Sequence, residues 1–344
     1  MKRESSIELL RIISMLFIVL HHACINNGLI LFSEEFSLNH VIIALLGIWG
    51  TAGFTIFFCI SFWYMLDDKY HFQSSKIVRL IIEAVAYAIC ALGIAKVCFG
   101  ESVLVNDLVK TILSPFLNTF WFLTAYIIVY MLMPFVRKML HALSNSQIIA
   151  LTALLVIFVP IYRGGYSLAP IGNICLVLYI VVVVEALKRN YNVIKKFAGR
   201  TLLISISIAV LGMVLAFYLN KGQSGIYDVL VNRWSIVQSI TGFSFFVWYK
   251  EKFSFSSKAI NECSKAMFGL YIVHSSPYLA KHIWQDIFDL CNNFYTNFFA
   301  LRLLISAVVV MMCGVVMIYI IHFILNKIPI HIRLLDKLDA FWLM

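Results

Sequence analysis

The chain has 344 residues, of which 62% are apolar and only 13% charged, and it carries a formal net charge of +10. Soluble domains are about a quarter charged, so a water-soluble enzyme is excluded, and a mean hydropathy of +0.92 leaves a polytopic membrane protein. The Lys and Arg residues sit in short loops between apolar runs rather than on one soluble face, which argues against nucleic acid as a partner.

In chain order, apolar runs fall at 7–28, 41–66, 77–99, 118–136, 147–162, 170–187, 201–219, 229–249, 264–280 and 299–325, each near the length of a membrane helix. They predict an all-α protein of about ten spans. The first run follows Lys2 and Arg3 like a signal peptide, but Glu8 and Arg11 interrupt it and no small-residue cleavage site follows, so it reads as a retained span. Polar or turn-forming clusters mark the boundaries: Asp67-Asp68-Lys69, Arg137-Lys138, Arg163-Gly164-Gly165, Lys188-Arg189-Asn190 and Asn220-Lys221-Gly222. With both termini cytoplasmic, most of the 27 basic residues fall in inner segments, as the positive-inside rule requires. The 17 or 18 residues after Tyr278 are too polar to span and read as an outer loop. No loop is long enough for an appended soluble domain, so residues 1–344 are expected to form a single transmembrane domain in a multi-pass protein of the cell membrane. The eight cysteines lack CxxC or Cys/His spacing and imply neither a disulfide framework nor a metal site.

Ionisable groups inside a span are costly, and each is a functional candidate until a structural partner is found. The first span is the richest. Arg11 and His22 are eleven residues apart, which brings them within about 20° of one helix face and about 16 Å apart along the axis. Glu8 lies three residues before Arg11 and can meet it on that stripe. His21 points about 100° away from His22 and reads as an interfacial residue. Trp121 and Tyr126 open the fourth span, where aromatic residues commonly form an interfacial belt. His274, with Tyr271 one turn earlier, is a further ionisable group in an otherwise apolar run. Lys76 and Arg79, spaced i and i+3 at a helix start, can hold phosphate or simply supply inner charge. Pro134 and Pro160 read as kinks or helix ends. A secondary transporter shares the span number and the intramembrane charges, but the inverted repeats and matched broken helices common in transporters are not evident.

Taken in order, these residues resemble the membrane acyltransferase 3 family, and the resemblance covers nearly the whole chain. The family pattern of arginine, ten residues and histidine, preceded by an acidic residue, corresponds to Arg11, His22 and Glu8. Gly53 through Phe62 (GFTIFFCISF) is similar to a family stretch that ends in Ser-Gly, and Lys76 with Arg79 to an RxxR-like element. Trp121-Phe122-Leu123 with Tyr126, and Leu270-Tyr271 with His274, also look like family signatures. Ile12 and Phe62 stand where glycine is usual, and Lys76 stands where arginine is usual, a point charge in place of a bidentate fork. The resemblance implies an integral membrane acyltransferase. Such an enzyme moves an acyl group, usually acetyl from acetyl-CoA, onto a polysaccharide or lipid-linked glycan acceptor of the cell envelope. It implies His22, Arg11 and Glu8 as the catalytic set, and Arg11, Lys76 and Arg79 as the donor-binding cations. Trp121, Tyr126, Tyr271 and His274 are implied around the acceptor or the thioester.

Overall fold

The computed structural model describes residues 4–27, 37–161, 169–220 and 229–327. Among these residues the secondary structure is helical, with no strand. In chain order the α-helices are α1 (Ser5–Ile25), α2 (Leu38–Gly47), α3 (Gly50–Met65), α4 (Ser74–Phe99), α5 (Val105–Leu113), α6 (Trp121–Ala142) and α7 (Asn145–Ile161). They continue as α8 (Ala169–Arg189), the single turn α9 (Tyr191–Ile194), α10 (Ala198–Asn220), α11 (Ile236–Lys252), α12 (Lys258–Cys263), α13 (Met267–His274) and α14 (Phe299–Leu325). The protein is an all-α polytopic membrane protein. Seven of the described helical stretches are long and apolar enough to cross a bilayer, with α2 and α3 joined as one of 28 residues. Their outer faces carry exposed apolar side chains, among them Leu203, Leu211, Met312 and Val316, as lipid-facing helices do.

Three of the expected spans become helices of 17 residues or fewer. The run at 147–162 becomes α7, of 17 residues. The run at 229–249 becomes α11, which starts only at Ile236 because the Ser235 hydroxyl accepts from the Gln238 N–H and caps the helix there. The run at 264–280 becomes a 3₁₀ turn, Ser264–Ala266, followed by α13, which ends at His274 before Pro277. Pro134 lies inside α6. The expected turns at Arg163-Gly164-Gly165 and Lys221-Gly222, and the segments at the two termini, lie outside the described residues.

The chain divides into two compact units, each assembled from separate stretches of sequence. The first comprises residues 1–60 and 190–315. Here α1 packs against α2, α11, α12 and α13. The close approaches run through small residues: a side-chain carbon on Gly53 of α3 would meet the Ser14 carbonyl of α1 at 2.7 Å, and one on Gly242 of α11 would meet Thr55 Cβ of α3 at 2.7 Å. Ala44, Ile48, Ala209, Met213, Phe217 and Leu230 form an apolar cluster between α2, α10 and the segment before α11.

The second unit comprises residues 61–189 and 316–344. Its polar groups mostly tie down helix ends. Arg189 pairs with Glu185 at 2.7 Å and also donates to the carbonyls of Leu140 and Leu143, which closes the C-terminus of α6. Arg137 donates to the carbonyls of Asp67 and Tyr70 and holds the turn that leads into α4. The Tyr70 hydroxyl donates to Tyr130 at 2.8 Å. Burial, with that neighbouring hydroxyl, pushes the Tyr70 phenol up from its ordinary pKa.

Candidate active site

The first unit brings five of the candidate residues into two linked groups on α1. At the Glu8 end, the Glu8 carboxylate accepts from Arg11 at 2.5 Å and from the Ser264 hydroxyl at 2.5 Å. Glu8 and Ser264 are buried, while Arg11 keeps partial exposure and places its guanidinium 5.9 Å from the centre of the Phe57 ring. The ion pair and the Phe57 ring therefore fix the Arg11 guanidinium from two sides at this end of α1. Below it, Ser5 accepts from the Ser257 N–H at 2.7 Å, which ties the helix start to the cap of α12. Along the stripe from Arg11 toward His22, Met15 and Ile18 are buried and separate the two polar groups with packed apolar side chains.

At the other end of α1, His22 meets His274 across 252 residues of sequence, Nδ1 to Nε2 at 2.9 Å. Their rings lie 4.9 Å apart, and Tyr271 lies 6.3 Å from His22. The proton positions follow from the partners. His274 Nδ1 lies 2.6 Å from the Leu270 carbonyl, which can only accept, so a neutral His274 carries its proton on Nδ1. Its Nε2 is then a lone pair, and the bridging proton belongs to His22 Nδ1. The bonding network thus assigns His22 the tautomer with Nε2 unprotonated. His274 is fully buried, whereas His22 is partly exposed. The partly exposed residue of the pair therefore carries the unprotonated Nε2.

His21 has a different role. Its Nδ1 donates to the Gly47 carbonyl at 2.6 Å, and the ring lies over Gly50, where any added side-chain carbon would collide with it. It fastens α1 to the junction of α2 and α3.

The remaining candidates belong to the second unit. Lys76 Nζ lies 5.4 Å from the centre of the Tyr70 ring. Arg79 donates to Glu83 at 2.7 Å and to Asn326 at 3.4 Å, and its side chain is 65% exposed. Glu83 also faces His322 at 3.9 Å, and His322 in turn bonds the Tyr87 hydroxyl. Trp121 is the first residue of α6, with Phe122 and Leu123 buried behind it. The Tyr126 ring lies 6.4 Å from Phe62 and 6.1 Å from Tyr130.

Two partners escaped the sequence reading. Ser264 completes the Glu8 group from 256 residues away, and a single serine at a helix junction carries no signal of that. Arg233 lies within electrostatic reach of His21 and Tyr271, although it falls within an apolar run. It carried a signal, since an arginine inside such a run is costly.

A family model described as an acyltransferase domain matches residues 4–327, essentially the whole chain. No curated protein and no solved structure matches the chain.

Proposed function

Because the chain belongs to the acyltransferase 3 family and is thus a membrane acyltransferase, we propose that it moves an acyl group, acetyl in the first instance, from cytoplasmic acyl-CoA to a hydroxyl of an exported polysaccharide or another cell-envelope glycan. The observation that carries this reading is the His22 and His274 pair, in which a buried imidazole fixes the tautomer of an accessible one. A base oriented by a second group is the arrangement that nucleophilic acyl transfer needs.

In the direct route, His22 Nε2 takes the proton from the acceptor hydroxyl as that oxygen attacks the thioester carbonyl. The tetrahedral intermediate then collapses, the C–S bond breaks, and the departing CoA sulfur receives the proton from His22. In the alternative route, Nε2 itself attacks the thioester and the C–S bond breaks to release CoA thiolate. The acceptor hydroxyl then attacks the acyl-histidine, the C–N bond breaks to return the neutral imidazole, and the hydroxyl proton passes to the thiolate. Both routes need the same nitrogen free, and the neutral imidazole with its proton on Nδ1 supplies it.

By resemblance, Arg11 in the first unit and, separately, Lys76 and Arg79 in the second are assigned to donor phosphates. Glu8 and Ser264 hold Arg11 in place. Tyr271, whose ring lies 6.3 Å from that of His22, is assigned to the acceptor or the thioester.

The donor assignment is tested by acetyl-CoA binding to the purified protein in detergent or nanodiscs. The intact chain is expected to bind. Arg11→Ala and Arg79→Ala are each expected to weaken binding by about 10-fold or more, as loss of a charge-assisted contact does. Wild-type affinity in both variants would remove these arginines from the donor site, and no binding by the intact chain would favour a transporter.

A further inference from the structure

The chain leaves α13 at His274 and enters α14 only at Phe299. The residues between them are too polar to span, yet they form a defined structure rather than an open loop. The Ala280 N–H donates to the Ser276 carbonyl, and His282–Ile287 forms a π-helical turn, a rare form that is frequent at functional sites. Asp289 adopts the left-handed conformation at φ 47°, held by the side chains of Asn292 and Asn293. Trp284, Leu290 and Phe294 are buried beneath this surface.

Two side-chain contacts fasten the segment to the rest of the first unit. The Gln285 side chain donates to the Asn26 carbonyl at 3.0 Å, and the Asn26 N–H donates to the His22 carbonyl at 2.9 Å. The Asn39 side chain donates to the carbonyls of Phe294 and Thr296. The segment therefore starts at His274 and is pinned back to the chain one turn beyond His22. Both members of the histidine pair lead into it.

Within the π turn, His282 Nδ1 and Asp286 Oδ2 lie 2.5 Å apart. The His282 side chain is 9% exposed and that of Asp286 is 49% exposed. A ring N–H thus holds one carboxylate oxygen from the buried side, while the rest of the carboxylate faces outward. An ionised carboxyl group accepts only, at about four lone-pair sites, and its hydrogen bonds to hydroxyl groups are charge-assisted. Neighbouring hydroxyls of a sugar ring are the donors that match it.

We propose that Asp286, oriented by His282, binds the acceptor by receiving sugar hydroxyl hydrogen bonds and so guides the reacting hydroxyl toward His22. This inference rests on the transferase reading above. The experiment uses cells producing equal amounts of the intact chain, Asp286→Asn, His282→Gln or none. Ester-linked acyl groups are released from their surface glycans by mild base and quantified by mass spectrometry. Acetyl-CoA binding to each purified protein is measured alongside. Asp286→Asn is expected to lower glycan acylation by about 10- to 100-fold, with His282→Gln lowering it less, and both with unchanged acetyl-CoA binding. Wild-type acylation in Asp286→Asn would overturn the inference alone. So would a parallel loss of acetyl-CoA binding, the mark of a merely structural role. If the intact chain adds no ester to any glycan, the transferase reading falls, and this inference falls with it.

Discussion

Alanine at His22 is expected to lower acyl transfer by about 10²- to 10⁴-fold, the usual contribution of a positioned base, while the protein remains folded and inserted. The substitution removes the ring whose Nε2 the network leaves unprotonated, on the partly exposed residue of the pair. Helix α1 retains its other fastenings: Glu8 with Arg11 and Ser264, Ser5 with Ser257, and His21 with Gly47. His274→Ala is expected to cost less, because it leaves the base present but releases the proton on His22 Nδ1 from its acceptor. The double variant should lose little beyond His22→Ala, since the two rings act as one unit. Initial rates of acyl release from acetyl-CoA onto glycan, in vesicles with matched protein content, check all three. A His22→Ala rate within threefold of wild type would remove this residue from the chemistry.

Gly53→Val is expected to lower both stability and activity, through backbone geometry rather than through any lost side chain. At Gly53 helix α3 touches α1 so closely that a side-chain carbon would meet the Ser14 carbonyl oxygen at 2.7 Å, Phe17 Cβ at 3.0 Å and Ile18 Cγ1 at 3.1 Å. A carbonyl oxygen in mid-helix cannot swing aside, so α1 itself must shift between Arg11 and His22. Overpacking of this kind costs about 1–3 kcal/mol. A displacement of about 1 Å at a reacting group can cost about 10²-fold in rate. Gly93→Ala in α4 is the control: nothing lies within 4 Å of the added carbon, and alanine in place of glycine inside a helix is expected to add about 0.5–1 kcal/mol. Thermal unfolding followed in detergent, together with the transfer rate, separates the two cases. Equal midpoints for Gly53→Val and wild type would contradict the close packing of α1 on α3.

The stripe on α1 was legible because helical periodicity alone aligns Glu8, Arg11 and His22, and one uninterrupted helix keeps them so. The contact between His22 and His274 was not, since local periodicity says nothing about which of several apolar helices will lie beside α1. The same limit hid Ser264 behind Glu8. Helix class and approximate positions followed from hydropathy, whereas the starts and ends depended on caps: Ser235 delays α11, and the turn after His274 ends α13 early. The polar stretch after Tyr278 was correctly too hydrophilic to span, but composition could not distinguish an open loop from a π turn pinned by Gln285. Helical periodicity set His22 apart from His21, which reads as interfacial by sequence; the Gly47 carbonyl beside the His21 ring shows it instead to be an anchor between helices, and the His274 ring gives His22 its partner.

The most direct measurement compares surface glycans from cells producing the intact chain with those from cells lacking it. Mild base releases the ester-linked acyl groups, and mass spectrometry identifies both the acyl group and the glycan that carried it. A glycan that bears an O-acetyl group only in the presence of the chain, and loses it again with His22→Ala, is the predicted result. Identical glycans in all three cell lines would contradict the transfer of an acyl group to an envelope glycan.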